Sequence, residues 1–474
     1  MQRFIRPAKL FYFTFSKGVV GKARLPLVPL YHPIFNFPKY FSTEQKVNLV
    51  DSPSYKKQKE EAFRAFKEGR VHESVEKFAD LLEQVVKAHG EQHKEVSDML
   101  YYLGSSLFYD GNLEDPMELY SRGLKINKGL YGENNPDAPR FYLGIGMIFE
   151  RKGQAEEALV YFEKARHIAS IYGSAHPDLS TSLESIGRAA TTLGRFDDAY
   201  EALTRCYELR VQAFGENSFY TAASHLDIGT LFRMQGRFNE ALEHFNKTLA
   251  IGSKVTLRPQ FYAVCNKEIG ECYLNLGKYD LCLKHYDIAL QIAIDCYGEN
   301  HSEVGTMKIS IGTALYQIGK HEKAMENLEA GLKILKKTLG ENHPNVATVY
   351  NDMGLIMKSR GKMDEALEYS QKALDIYIQL YGEYSPMTAI VIYNIGNLYL
   401  EKNQLDEAEN YLRDALKIYT KLNGEEHPNT GFCLESLGTL NSMKNNAKEA
   451  NELYNRALRS EERRVGKECR SRWS

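Results

Sequence analysis

No run of 18 or more apolar residues interrupts this chain, which excludes a helix spanning the hydrocarbon of a bilayer. Its seven cysteines follow no regular spacing and include no Cys-x2-Cys pair. A disulfide framework and a zinc ribbon are therefore not implied, and a reducing compartment is the expectation. Tryptophan is almost missing: the single one, Trp473, is the next-to-last residue. Acidic residues are absent before Glu44, although the whole chain holds 62. The nucleotide loop G-x4-G-K-[ST] and the zinc helix H-E-x-x-H are absent as well, and no catalytic constellation emerges. No cofactor or metal site is expected. With 43% hydrophobic and 26% charged residues, the composition is that of a folded globular chain or a long repeat array.

The acid-free N-terminus carries Arg3, Arg6, Lys9, Lys17, Lys22, Arg24 and Lys39, with aromatics interleaved in "KLFYFTF". Pro26, Pro29, Pro33 and Pro38 exclude one long helix there. A basic, acid-free, partly amphipathic leader resembles a mitochondrial presequence. The stretch "KYFST" resembles a matrix-processing site cut between Phe41 and Ser42, with Lys39 where the pattern has Arg. Residues 1–43 are read as a presequence-like segment and 44–54 as a linker, so the mitochondrial matrix is the expected location and the cytoplasm the alternative. A disordered basic arm and a secretory signal are the competing readings of the segment; the second lacks a clean small-residue cleavage site.

Glycine, by contrast, is abundant and ordered. It recurs at Gly104, Gly146, Gly187, Gly229, Gly270, Gly312, Gly354, Gly396 and Gly438, in steps of 41 or 42 residues. Seven residues further on lies a second series: Gly111, Gly153, Gly194, Gly236, Gly277, Gly319 and Gly361, then Asn403 and Asn445. Gly69 extends it backwards and gives a tenth unit. Five residues later stands a small residue, as at Ala158, Ala199, Ala241, Cys282, Ala324, Ala366, Ala408 and Ala450. Large apolar residues follow, such as Phe162, Phe245, Tyr286 and Tyr454, then further small ones such as Ala165, Ala289, Ala373, Ala415 and Ala457. Apolar spacing between the series is helical. Each unit is thus two antiparallel helices in close contact, which bury their faces only by stacking on neighbours.

The pattern G-x6-G-x4-A-x3-[FYL]-x2-A over residues 55–458 resembles the tetratricopeptide repeat, in the longer form of kinesin light chains and nephrocystin-like proteins. The resemblance implies an all-α, right-handed α-solenoid of about ten helix pairs. Loops such as "YGSAHP" and "LGENHP" join the units. Gly132, Gly173, Gly340, Gly382 and Gly424 suit a left-handed helix end. Pro136, Pro177, Pro344, Pro386 and Pro428 suit the first turn of the next helix. His176, His343 and His427 are spread over separate units, so capping explains them better than metal binding. Cys206 and Cys282 sit at small-residue positions and read as packing. Between repeats five and six, "IGSKVTLRPQF" lacks the usual turn; a tolerated loop variant is the plainer reading, a change of curvature or a partner contact the sharper one.

The last sixteen residues, "RSEERRVGKECRSRWS", match nothing before them. Their back-translation, beginning AGA TCG GAA GAG CGT, resembles a sequencing-library adapter read in frame. Residues 459–474 are therefore read as an adapter-derived artefact, with the true C-terminus lying beyond Leu458. A helix through "SEERRV" would express only the propensity of Glu and Arg. Seven of the 60 basic residues lie in 1–43 and six in the tail, against three of the 62 acidic ones. Residues 44–458 then hold 47 basic and 59 acidic residues, a balance of −12. That disfavours nucleic acid, whose phosphates need a Lys/Arg excess.

The family resemblance also implies a concave groove lined by first-helix positions around the first glycine of each unit. Here these are Tyr101, Phe108, Tyr109, Leu143, Met147, Glu150, Arg151, Glu184, Arg188, Leu226 and Arg233. They continue with Lys267, Glu271, Asn275, Ile309, Tyr316, Asn351, Lys358, Tyr393 and Asn397. Kinesin light chains hold extended cargo with helix-borne asparagines, and Asn351 and Asn394 fall at comparable places. The expected function is a non-enzymatic scaffold or assembly subunit that binds a protein partner in the groove, without membrane insertion. A cytosolic kinesin-light-chain-like cargo adaptor is the alternative. An RNA-binding helical-repeat protein would have shorter repeats and a basic groove.

Overall fold

Ser52 opens the first helix: its hydroxyl accepts the Tyr55 amide at 3.2 Å, and Pro53 takes the first turn, where a missing N–H costs nothing. The computed structural model describes residues 49–425 and 427–471. The presequence-like segment and its cleavage point lie outside the described residues. Twenty α-helices follow a short 3-10 turn at Leu49–Asp51. The first members of the pairs are α1 (Pro53–Lys67), α3 (Lys94–Tyr109), α5 (Ala138–Arg151), α7 (Pro177–Thr192) and α9 (Phe219–Met234). They continue as α11 (Pro259–Asn275), α13 (Ser302–Gln317), α15 (Pro344–Ser359), α17 (Pro386–Glu401) and α19 (Pro428–Met443). The second members are α2 (Val71–His89), α4 (Asp115–Tyr131), α6 (Ala155–Ile171), α8 (Phe196–Phe214) and α10 (Phe238–Gly252). They are completed by α12 (Tyr279–Tyr297), α14 (His321–Leu339), α16 (Met363–Tyr381), α18 (Leu405–Asn423) and α20 (Ala447–Ser471). The fold is an all-helical solenoid, and no strand occurs among the described residues. Two compact units meet in sequence between Cys272 and Tyr273, within α11. Consecutive helices pack on one another from α1 to α10 in the first and from α12 to α20 in the second.

The glycines of the first series lie where the two helices of a pair touch. A Cβ on Gly312 would stand 2.9 Å from the Leu328 side chain, and one on Gly438 2.8 Å from the Tyr454 ring. The small residues facing them are buried: Ala158, Ala199, Ala241, Ala324, Ala366 and Ala408 are fully enclosed, and Cys282 does the same duty. The second glycine series makes the turn between the paired helices at positive φ. Asn403 and Asn445 hold that turn at φ 58° and 59° in the last two units. Asparagine is among the few non-glycine residues that tolerate it.

Two expectations at the longer loops need correction. Gly132, Gly340, Gly382 and Gly424 have positive φ, but their ψ values of 175°, 165°, 177° and 174° place them in the extended region open to glycine alone, not in the left-handed helical one. The chain thus leaves each helix extended, towards the next. Pro136 is not in a first helical turn either: α5 starts at Ala138 with Pro139 in that turn, and Pro136 stays in the preceding turn. Pro177, Pro344, Pro386 and Pro428 do begin their helices.

The loop histidines are caps. The Nδ1 atoms of His93, His176, His301, His343 and His427 accept the backbone N–H two residues on, at 3.1–3.2 Å. Ser218 and Ser385 take the same role before α9 and α17. At the irregular junction α10 ends after 15 residues, whereas α8 has 19. The Tyr262 hydroxyl donates to the Gly252 carbonyl at 2.6 Å, and Leu257 is buried with Ile251 and Phe261. A local core replaces the missing glycine turn. Helix α20 runs through the segment of adapter resemblance to Ser471.

Candidate functional site

The groove positions of the N-terminal unit are largely covered by their own neighbours. Tyr101 is 5% exposed, with its ring 5.5 Å from Phe141 and the Arg140 guanidinium 5.1 Å above it. Phe108, 3% exposed, lies under Arg151 at 4.3 Å. Leu143 and Met147 are buried as well. With the half-buried Tyr109 these five side chains surround one cleft, which has room for about one water. The five side chains thus border one cleft, while most of their surface serves packing.

Further along the same unit the face turns ionic. Arg188 on α7 pairs with Glu150 on α5 at 3.0 Å, and Arg233 on α9 with Glu268 on α11 at 2.6 Å. Glu184 and Arg210, from α7 and α8, pair at 2.9 Å with almost no exposure, and Arg210 also donates to Ser224 at 3.2 Å. Burial, and then the neighbouring Glu184 carboxylate, push the Asp227 carboxyl well up, while Arg188 and Arg210 pull it back. Burial raises the Cys206 thiol to about 12, so it is a packed thiol without nucleophilic character at neutral pH. Lys267 and Glu271 are half-buried on α11.

In the C-terminal unit the corresponding face is mostly uncharged. The Asn394 amide donates to Asn351 Oδ1 at 2.9 Å across α17 and α15. The Tyr393 hydroxyl lies 3.3 Å from Ser436 Oγ on α19, and Asn397 donates to the Tyr393 carbonyl at 3.1 Å. Tyr393, Asn394 and Asn397 remain half-buried, whereas Asn351 is 1% exposed. Lys358 pairs with Glu401 at 2.8 Å, and Tyr316 is half-buried on α13.

Asp352 departs from this neutral pattern. Thr313 on α13 donates to it at 3.3 Å, and burial pushes its carboxyl up to about 7 against the opposing influence of Thr313 and Asn351. No ion pair to Asp352 occurs among the described residues.

Sequence reasoning did not single out Asp352, Thr313, Ser436, Glu268 or Arg210. The register held a usable signal for the acids: Asp227, Glu268 and Asp352 each stand two residues before a first-series glycine. Among the described residues no three His, Cys, Asp or Glu side chains are arranged to hold a metal, and no helix is long and apolar enough to cross a membrane.

With the geometry in place, comparisons with known proteins locate the chain. The family model described as tetratricopeptide repeat matches residues 137–210, 178–254, 263–337, 326–377, 345–421 and 404–462, well over half of the chain. A clustered mitochondria protein homolog from Culex quinquefasciatus is 22% identical over 219 residues, 46% of this chain and 15% of the relative. The protein kinesin light chain-related 3 of Arabidopsis thaliana is 24% identical over 227 residues, 48% of this chain and 28% of its own length. The chain thus spans a minor part of these curated relatives. Among solved structures, the apo form of the quorum sensor NprR from B. thuringiensis aligns with 77% of this chain and 98% of its own, at TM-score 0.56 and 16% identity. That is a likeness of fold.

Proposed function

The chain belongs to the tetratricopeptide repeat family, and we propose that it is a non-enzymatic scaffold or assembly subunit whose first-helix faces hold an extended or helical segment of a partner protein. The observation that carries this reading is the half-buried set Tyr393, Asn394 and Asn397 in the C-terminal unit. An asparagine side chain offers a donor and an acceptor together, which matches a peptide group, and its present bonds are to other neutral groups. Exchanging neutral hydrogen bonds for equivalent ones costs little. In the N-terminal unit, Tyr109, Arg151 and Arg188 offer partial exposure on the same face, while Tyr101 and Phe108 support it from beneath.

The test is site-specific photocrosslinking. Benzoylphenylalanine at Tyr393 or Tyr109 should trap a partner in cell extract, whereas the same group at Tyr200, 48% exposed on α8, should not. Equal trapping at Tyr200 would move the binding surface off the first helices.

For location, the acid-free leader and the name of the clustered mitochondria relatives support mitochondria; the kinesin light chain-related relative supports a cytoplasmic cargo adaptor. Fusing residues 1–50 to a fluorescent reporter separates them, since diffuse cytosolic signal without a size shift would reject import. The adapter reading of residues 459–474 remains part of this proposal, and amplifying the gene from genomic DNA tests it.

A further inference from the structure

The repeat register supplies its own control for what an acidic side chain needs at one position. Two residues before the first-series glycine, Asp227 faces Arg188 and Arg210, and Glu268 takes Arg233 at 2.6 Å. Asp352 occupies the same position in the C-terminal unit, is 8% exposed, and has the Thr313 hydroxyl at 3.3 Å and the neighbouring Asn351 side chain, but no ion pair among the described residues. A buried carboxylate without a cation is costly, and at this position Glu268 offsets that cost with the Arg233 guanidinium. Asp352 opens on a cleft lined by Thr313, Tyr316, Leu328, Leu355 and Ile356. The neighbouring Asn351 side chain, 1% exposed, favours the charged form of the carboxylate without supplying a cation. The site therefore has one unmet need, a cation for Asp352.

We propose that the Thr313–Asp352 cleft is a subsite for the ε-ammonium of a lysine in the bound partner segment. The proposal rests on the reading of the first-helix faces as the partner surface. Lysine fits better than arginine because the cleft has room for about one water, the size of an ammonium head. A planar guanidinium needs a wider slot for its paired donors. The apolar walls Leu355 and Ile356 would cover the methylene stem, as lysine stems commonly pack on apolar surface. The Thr313 hydroxyl already donates to Asp352, so its oxygen is left to accept from the ammonium. The net acidic balance of residues 44–458 favours approach of a basic segment.

The experiment uses the full chain and three degenerate pools of short peptides with Gly, Ala, Ser, Leu and Tyr flanks. Their central residue is lysine, Nε-acetyl-lysine or arginine, and binding is read by fluorescence anisotropy. The lysine pool should bind at least tenfold more tightly than the acetylated pool. Asp352→Asn should erase that difference while leaving acetylated-pool binding unchanged, and Asp352→Glu should restore part of it. Circular dichroism confirms that each variant is folded. Binding without lysine preference, preference for arginine, or a lysine preference that survives Asp352→Asn would each overturn the subsite and leave the partner surface standing. Failure of all three pools to bind would overturn both.

Discussion

In the N-terminal unit the acids of the first-helix face meet arginines: Glu150 with Arg188, Glu184 with Arg210, and Glu268 with Arg233. In the C-terminal unit the positions three and two before the first-series glycine hold Asn351, Tyr393, Asn394 and Ser436, joined through amides and hydroxyls, together with a buried acid in no ion pair, Asp352, and an exposed one, Glu435. Helix pairs close alike in both, glycine against the facing helix: Gly146 on Phe162 in one, Gly438 on Tyr454 and Gly354 on Ser370 in the other. The backbone register and the chemistry of the exposed face are thus separable. A buried ion pair resists exchange because either charge left alone is expensive. Neutral amides can trade a neighbour for a peptide group at little cost. The N-terminal face reads as one committed to its own structure, the C-terminal face as one able to accept a guest.

The largest effect should come from breaking the N-terminal ion pairs. Arg210→Met leaves Glu184 buried beside Asp227 with its main cation gone, and should cost about 3–5 kcal/mol in thermal or urea unfolding. Lys358→Met in the C-terminal unit removes a partner of the more exposed Glu401 and should cost under about 1 kcal/mol. Similar losses from the two variants would erase the distinction between the units.

A smaller loss should follow from overpacking a feature common to both. Gly354→Leu drives side-chain atoms towards Ser370 Oγ, 2.9 Å from the first added carbon, and the Ala366 backbone carbonyl at 3.2 Å. Backbone cannot yield as a side chain tip does, so about 2–3 kcal/mol should be lost. Hydrogen exchange should quicken most in α15 and α16, since a repeat array transmits instability chiefly to neighbours. An unchanged unfolding curve would mean that the helix contact is not there.

Asp352→Asn should go the other way. The folded carboxyl sits near 7, above the ordinary aspartate value of 3.8, so the folded chain holds a proton that the unfolded chain releases across that interval. Wild-type stability therefore falls as pH rises from about 4 to 7 on account of this group. The linkage ceiling is ~4 kcal/mol, and loss of part of the Thr313 bond leaves a net gain of about 1–2 kcal/mol for the variant at pH 8. The gain should vanish near pH 4. A variant that is less stable than wild type at pH 8 would mean that the carboxylate is already compensated.

Much of this architecture was legible because the same constraint recurs in each unit. Gly312 and Ala324 announce a close helix contact, and eight sibling units repeat the glycine. His176 and His343 likewise announced caps by standing before a helix start in separate units. The face was legible only as a set of positions. Tyr101 lies on it as expected, yet Arg140 and Phe141 cover its ring, and spacing along one helix does not reveal what the adjoining helix places on top. Asp352 was missed for the same reason: its distinction from Glu268 is an ion-pair partner on an adjoining helix, which spacing does not reveal.

The smallest effect concerns the caps, which both units share, and it shows whether acid sensitivity belongs to the faces or to the loops. His301 Nδ1 accepts the Glu303 amide at 3.2 Å, which requires that nitrogen to be unprotonated. Burial lowers the basicity of the His301 ring, and burial together with His89 does the same for His93. A folded ring less basic than the unfolded one contributes its full share above the unfolded value, and loses it as pH falls through the folded one. Serine does the same capping without titrating, as Ser218 and Ser385 do before α9 and α17. His301→Ser forfeits the ring stacked on Tyr297 at 4.4 Å, so the informative quantity is the slope of stability with pH, not its value at one pH. That slope below about pH 6.5 should flatten by a similar amount for His301→Ser and His93→Ser, and His301→Ala should cost about 1 kcal/mol at pH 8. If neither serine variant flattens the slope, the histidines are not the acid-sensitive element. The buried carboxyls at Asp227 and Asp352 cannot take their place, because raised carboxyl values make a chain more stable, not less, as pH falls.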